Sequence, residues 1–230
     1  MKIDMHTHCR PVSGCARHDA EFLPEFFKGL GYDAIVLANH YHRWHCGNLS
    51  KDPKEQAKKF LETYYKCKAK GDEVGLKVIF GAELKLSDEV DHPEFLLYGL
   101  SEQDFLDTYP LFNESQETVF KFCEEKDILM VQAHPLREEQ GYALANLQFM
   151  HGIEIFNPHR LFDPRFEQAT AIAEENNKIK TSGGDFHEAE TYVMAGMIVP
   201  DEINDQFMLR DYLKKGESII FNSEKIIYKK

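Results

Sequence analysis

Short apolar runs in this 230-residue chain keep ending in residues that bind metals. Ile3-Asp4-Met5 leads into His6-Thr7-His8, and the run Ala34 to Ala38 into Asn39-His40. Lys77 to Ala82 ends in Glu83, Ile128 to Ala133 in His134-Pro135, Gly152 to Phe156 in Asn157, and Ile179 to Gly184 in Asp185-Phe186-His187. Runs of this length without alternation read as strands buried on both faces. Helical spacing falls between them. Phe22, Leu23, Phe26, Phe27 and Leu30 predict a helix over 20–30 that stops at Gly31. A charged helix is expected from Asp52 to about Lys70, closed by Gly71, with others over 115–126 and 164–177. Phe95 to Tyr98 adds a strand, and strands at 196–199 and 218–221 flank a last short helix.

Strands alternating with helices predict an α/β fold with mostly parallel strands. Polar residues at the C-terminal ends of so many strands describe a barrel, whose site forms at that face. An open doubly wound sheet would gather its site at one switch point, and no glycine-rich nucleotide fingerprint supports one. No linker, repeat or compositional shift divides the chain, so residues 1–230 are expected to form a single domain.

The strand ends define the chemistry. His6 and His8 alternate along a strand and so share a face. With His40, Glu83, His134, Asp185 and His187 they make a set of imidazoles and a few carboxylates, suited to zinc, manganese or iron. Calcium or magnesium would prefer oxygen ligands throughout. The set exceeds what one catalytic zinc takes from protein, so two or three divalent ions are expected, with Glu83 or Asp185 as a bridge. Each residue alone has an ordinary reading: a surface histidine pair, a loop cap before a proline, a salt-bridged glutamate. Their recurrence at strand after strand favours the metal.

In order and type these motifs resemble the PHP family, named for its polymerase and histidinol phosphatase members. The resemblance rests on Asp4-Met5-His6-Thr7-His8, Ala38-Asn39-His40, Gly81-Ala82-Glu83, Ala133-His134-Pro135 and Gly184-Asp185-Phe186-His187, and spans residues 1 to about 190. It implies a distorted (β/α)7 TIM-like barrel and phosphoesterase activity by a metal-activated water. It also implies that His6, His8, Glu83 and Asp185 hold one ion, Glu83 and His134 a second, and His40, His187 and His18 a third. Asp185 would be catalytic as well as a ligand. The chain departs from the family in three places. Asn39 stands where the family has Asp; His92 is displaced from the family's histidine after the glutamate strand; and the loop before His18 is long, with Asp19 as the alternative ligand.

A phosphate substrate needs cations at the rim. Arg137, three residues past His134, is the first candidate, because a guanidinium grips phosphate oxygens in pairs; the competing reading is a solvated arginine beside Glu138 and Glu139. His159-Arg160 is a second candidate. The run from His40 to Cys46 also reads as a separate zinc site. The reading preferred here takes only His40 as a ligand, places His42, Arg43 and His45 on a loop at the mouth, and makes Trp44 a lid or stacking surface. Cys9 and Cys15 lie near the site by sequence and read first as packing residues, with a thiolate ligand as the alternative.

Composition narrows the partners. A net charge of -12 argues against coating long nucleic acid and mildly favours a small phosphomonoester or short nucleotide. No run approaches the ~20 apolar residues of a membrane span. The start of the chain has no charged-then-apolar leader, so a cytoplasmic location is expected. Five scattered cysteines suit reduced thiols better than a disulfide framework. Two alternatives stand beside the phosphoesterase: an amidohydrolase-type metal barrel, and a regulatory module of this fold without catalysis.

Overall fold

The computed structural model describes residues 1–86, 93–137, 143–158, 165–223 and 225–230. Its centre is β1 (Lys2–Thr7), buried along nearly its whole length. β1 pairs in parallel with β2 (Ala34–Leu37), and β2 with β4 (Lys77–Lys85). The two-residue β3 (His40–Tyr41) also lies on β4, with His40 opposite Glu83. β4 then pairs antiparallel with β5 (Glu94–Tyr98), and β5 antiparallel with β6 (Leu129–Gln132). β7 (Gly152–Phe156) and β8 (Ile179–Ser182) follow in parallel. On the other flank of β1, β9 (Ala195–Ile198), β10 (Ile219–Asn222) and β11 (Lys225–Lys229) form an antiparallel extension.

The sheet curls until its far end meets its middle. Beyond β8, Phe186 bridges Thr7 in parallel, through His8 N–H to Phe186 O at 3.0 Å and Phe186 N–H to His6 O at 3.2 Å. The strand ends at 6–8 and 185–187 therefore share one mouth. The expectation of a distorted (β/α)7 barrel holds as a curled mixed α/β sheet. It does not hold as a strict seven-fold repeat, because β5 and the β9–β11 extension run antiparallel. Antiparallel neighbours do not require a crossover helix, and among the described residues β4–β5 and β10–β11 have none between them.

Seven helices cover this sheet among the described residues. α1 (Phe22–Gly29) buries Leu23, Pro24 and Phe27. α2 (Arg43–Leu49) occupies the segment expected to be a loop. α3 (Pro53–Val74) starts under an Asp52 cap that accepts from Lys54 N–H, with Pro53 in its first turn. It runs past the expected stop at Gly71 to a left-handed Gly75. Gly71 is a packing residue instead: a Cβ there would lie 2.6 Å from the Leu76 carbonyl. α4 (Glu102–Thr108), α5 (Gln116–Lys126), α6 (Phe166–Glu175) and α7 (Gln206–Leu213) complete the shell. No helix among the described residues is long and apolar enough to cross a membrane.

Candidate metal centre

Both imidazoles of the first motif are locked in one tautomer by groups behind them. His6 Nδ1 lies 3.1 Å from Glu154 Oε1, a carboxylate that only accepts, so Nδ1 carries the proton and Nε2 a lone pair. For His8 the argument runs through Asn39. Asn39 Oδ1 accepts from Cys9 N–H at 2.8 Å, so the Ser13 hydroxyl, also 2.8 Å away, must donate to it. Ser13 has no second proton, so it accepts from His8 Nδ1, 3.1 Å away, and His8 Nε2 is likewise a lone pair.

These lone pairs face carboxylate oxygens. His6 Nε2 is 3.1 Å from Glu83 Oε1 and 3.5 Å from Asp185 Oδ1; His8 Nε2 is 3.4 Å from Glu83 Oε2 and 3.2 Å from Asp185 Oδ1. His6 Nε2, His8 Nε2 and Asp185 Oδ1 are buried without a hydrogen-bond partner. Buried polar atoms are rarely left so, and lone pair against lone pair is repulsive unless a cation or an extra proton sits between. Imidazoles with a few carboxylates form a donor set suited to transition-metal ions. The residues present fit such ions.

His134 Nε2 reaches Glu83 Oε1 at 2.9 Å and Glu94 Oε2 at 3.3 Å, so His6, Glu83 and His134 form a second ligand group. His40 Nδ1 lies 2.6 Å from Glu83 Oε2, and its Nε2 is 3.4 Å from His187 Nε2. His187 gives its Nδ1 proton to the Asp185 carbonyl at 2.9 Å, so its Nε2 is also a lone pair. His8, His40 and His187 make a third group. The backbone at His134 and Asp185 has φ of 27° and 51°, in the left-handed region. Such conformations carry strain and gather at functional sites.

The electrostatics describe a cluster that demands positive charge. Burial disfavours charge on His6, but Glu83, Glu154 and Asp185 raise its pKa well above the imidazole range. His40 is likewise raised, burial being outweighed by Glu83 and by donation to the Cys15 sulfur. His8 is driven well down by burial and by His40 and His187. Burial would raise Glu83 and Asp185, yet the surrounding imidazoles hold both well below the carboxylate range, with Arg137 helping at Asp185.

Not every expected residue joins this centre. His18 stands apart: its ring stacks on Phe22 at 3.9 Å and its Nε2 accepts from Ala189 N–H at 3.2 Å. It belongs to no group of convergent ligand atoms among the described residues. Asp19 bridges Arg10 through its backbone. Arg137 lines the cavity but is buried, donating to Asp185 Oδ2 at 3.2 Å and Asn157 Oδ1 at 2.7 Å. His92, Glu138, Glu139, His159 and Arg160 lie outside the described residues. Trp44 is 60% exposed on α2 beside the cavity. Cys9 packs as expected, buried with its thiol pushed up to about 12. Cys15 does not, being exposed on the cavity wall.

Three supporting residues escaped the sequence reading. Glu154 takes the proton of His6 and accepts from His134 N–H at 2.9 Å and Asn157 Nδ2 at 2.7 Å. Its signal was a lone charge inside an apolar strand. Glu94 opens β5 and reaches His134, in the region where the family resemblance asks for a histidine. Asp4 accepts from His6 N–H and Gly184 N–H, each at 2.9 Å, and from the Tyr192 hydroxyl at 2.5 Å. Burial pushes its carboxyl up to about 7 despite those bonds. Asp4 thereby clamps β1 to the turn that carries Asp185.

A curled α/β sheet with an imidazole–carboxylate cluster at its mouth defines a metal-site barrel. Solved structures share this fold. One is a two-domain protein from Bacteroides vulgatus described as containing a predicted PHP-like metal-dependent phosphoesterase: TM-score 0.68, 18% identity, 96% of this chain and 64% of that one. The chain thus spans about two thirds of that protein's length. A protein from Bifidobacterium adolescentis, described as a metal-dependent phosphoesterase, matches at TM-score 0.58 and 15% identity over 93% of this chain and 96% of its own. An amidohydrolase from Chromobacterium violaceum, solved with sulfate and without metal, matches at TM-score 0.59 and 13% identity over 98% and 99%. The chain therefore has the PHP-like fold. No family model and no curated protein matches its sequence.

Proposed function

We propose that this chain is a metal-dependent phosphoesterase acting on a small phosphomonoester or short nucleotide. The observation that carries the reading is the convergence of His6 Nε2, His8 Nε2 and Asp185 Oδ1, all buried and without hydrogen-bond partners, beside the Glu83 carboxylate. His6, His8 and Asp185 would hold one divalent ion, Glu83 and His134 a second, and His40 and His187 would face a third. Bound there, such ions supply Lewis-acid polarisation of a phosphoryl oxygen and a nucleophile from water at neutral pH.

The chain's own residues do the rest. A cavity of about 610 Å³ opens on the cluster and is lined by Arg17, Lys85 and Arg137. Each is ion-paired to an acid on the same wall, Glu188, Glu94 and Asp185 in turn, and the volume suits a small molecule. Arg137 holds Asp185 Oδ2 from behind, which fixes Oδ1 toward His6 and His8. The imidazoles and Arg137 hold Asp185 below the carboxylate range, ionised, which suits a ligand that could also accept a proton. Trp44, beside the mouth, offers a face for the organic part of the substrate.

A second reading, amide or lactone hydrolysis, is favoured by the fold shared with the amidohydrolase. The deciding experiment is metal analysis of the purified chain with parallel assays on phosphomonoester, phosphodiester, lactone and N-acyl substrates. Phosphate release that is lost in His6→Ala and on chelation supports the proposal. Turnover of amides or lactones alone would transfer the chain to the second reading. A chain that binds no metal after reconstitution would leave a binding module.

A further inference from the structure

We propose that Cys15 supplies a thiolate ligand to the outermost ion, completing a site with His40 and His187. The inference rests on the metal-hydrolase reading above and concerns only that ion. His18, the residue the family resemblance offers for this position, is turned away against Phe22 and Ala189. Cys15 occupies the opening instead. It is the exposed member of the five cysteines, and it lines the same cavity wall as His40 and His187. Its sulfur lies within 4.8 Å of a His40 nitrogen.

The nitrogens it meets need a partner of another kind. His40 Nε2 and His187 Nε2 face each other at 3.4 Å, and His187 has already given its proton to the Asp185 carbonyl. Two nitrogens on a tetrahedral zinc at ~2.0–2.1 Å stand about 3.3 Å apart, so the spacing suits ligands of one ion. Behind them His8 Nε2 is buried and unpartnered, with its ring 4.2 Å from that of His40 and 4.5 Å from that of His187. His45 also comes within 4.8 Å of Cys15 and His40. We leave it out of the ligand set. Its Nδ1 accepts from Gly14 N–H at 3.1 Å, which keeps the proton of the neutral ring on Nε2. That bond holds the Cys15 loop beside α2.

One sulfur and two nitrogens select zinc, cobalt or ferrous iron over magnesium or manganese at this position, because thiolate is the softer donor. The test is titration of the metal-stripped full chain with Co²⁺, comparing wild type, Cys15→Ser and Cys15→His. In wild type the last ion taken up should bring a near-ultraviolet sulfur-to-cobalt charge-transfer band. Cys15→Ser should lose that band and bind one ion fewer per chain, while Cys15→His regains the ion without the band. An unchanged ion count in Cys15→Ser, with no band in wild type, overturns the thiolate and leaves the inner cluster standing. Failure of all three chains to take up cobalt overturns both readings.

Discussion

His6 Nδ1 stands 3.1 Å from Glu154 Oε1, and this contact decides which face of the imidazole is available to a metal. Glu154 Oε2 meanwhile accepts from His134 N–H and Asn157 Nδ2, so one carboxylate orients two strand ends. In Glu154→Gln the amide NH2 must face either His6 Nδ1, losing one bond, or the His134 N–H and Asn157 Nδ2 together, losing two. Metal affinity is expected to fall about 10–100-fold, as for other groups that orient a ligand. Calorimetric titration with Zn²⁺ measures it, with circular dichroism confirming the fold. Unchanged affinity would remove Glu154 from the centre.

Arg137 bridges Asp185 and Asn157 through one guanidinium. Its charge helps hold Asp185 well below the carboxylate range, after His6, His187 and His8. Arg137→Ala should therefore raise the Asp185 pKa, and the acid limb of the pH–rate profile should move to higher pH, with kcat/KM down about 100-fold from misplacement of the carboxylate. Arg137→Lys should not restore the profile, since one ammonium replaces a planar fork. An acid limb that stays put in Arg137→Ala would contradict this role.

Protons and metal ions compete for the same atoms. His6 and His40 are raised well above the ordinary imidazole value in the metal-free cluster. Raised groups contribute stability that is full below the unfolded imidazole value near 6.5 and is lost as pH rises through the folded one. Metal replaces that contribution. Zn²⁺ affinity should thus rise about tenfold per pH unit for each proton displaced, and the thermal stabilisation by Zn²⁺ should be larger at about pH 8 than at pH 6. Proton release on metal addition, read in two buffers of different ionisation enthalpy, gives the count. Affinity independent of pH would sink the tautomer argument.

Gly183 packs its backbone against β1. A Cβ there would lie 2.4 Å from His6 Cβ and 2.6 Å from His6 N, and one at Gly184 2.3 Å from Tyr192. Neither the His6 backbone nor Asp4 has room to give way. Gly183→Ala is expected to destabilise the fold by about 3 kcal/mol, the upper end of overpacking, and to lower metal occupancy with it. Chemical denaturation of the metal-free protein separates the two effects. A stability within error of wild type would mean the β1–β8 junction is looser than drawn.

The strands that carry His6, His40, Glu83, His134 and Asp185 were legible because buried runs of apolar residues advertise themselves locally. The residues at their ends were legible as a recurring set because imidazoles and carboxylates at strand after strand are an unusual pattern. What the sequence reading lacked were partners chosen by curvature. Gly71 reads as a helix stop, but the carbonyl of Leu76 makes it a packing position within a longer α3. The run after His40 reads as a loop, but it forms α2 and carries Trp44 and His45 to the cavity wall.

The sequence by itself determined that imidazoles and carboxylates stand at the ends of buried strands, since that follows from residue type and short-range pattern. The tertiary structure alone decided which nitrogen of each imidazole is presented. It also turned His18 outward while Cys15 faced the cavity, and it made Glu154 the partner of a histidine 148 residues away. Local pattern cannot encode such pairs. Only the closing of the curled sheet, where Phe186 meets Thr7, brings them within a hydrogen bond.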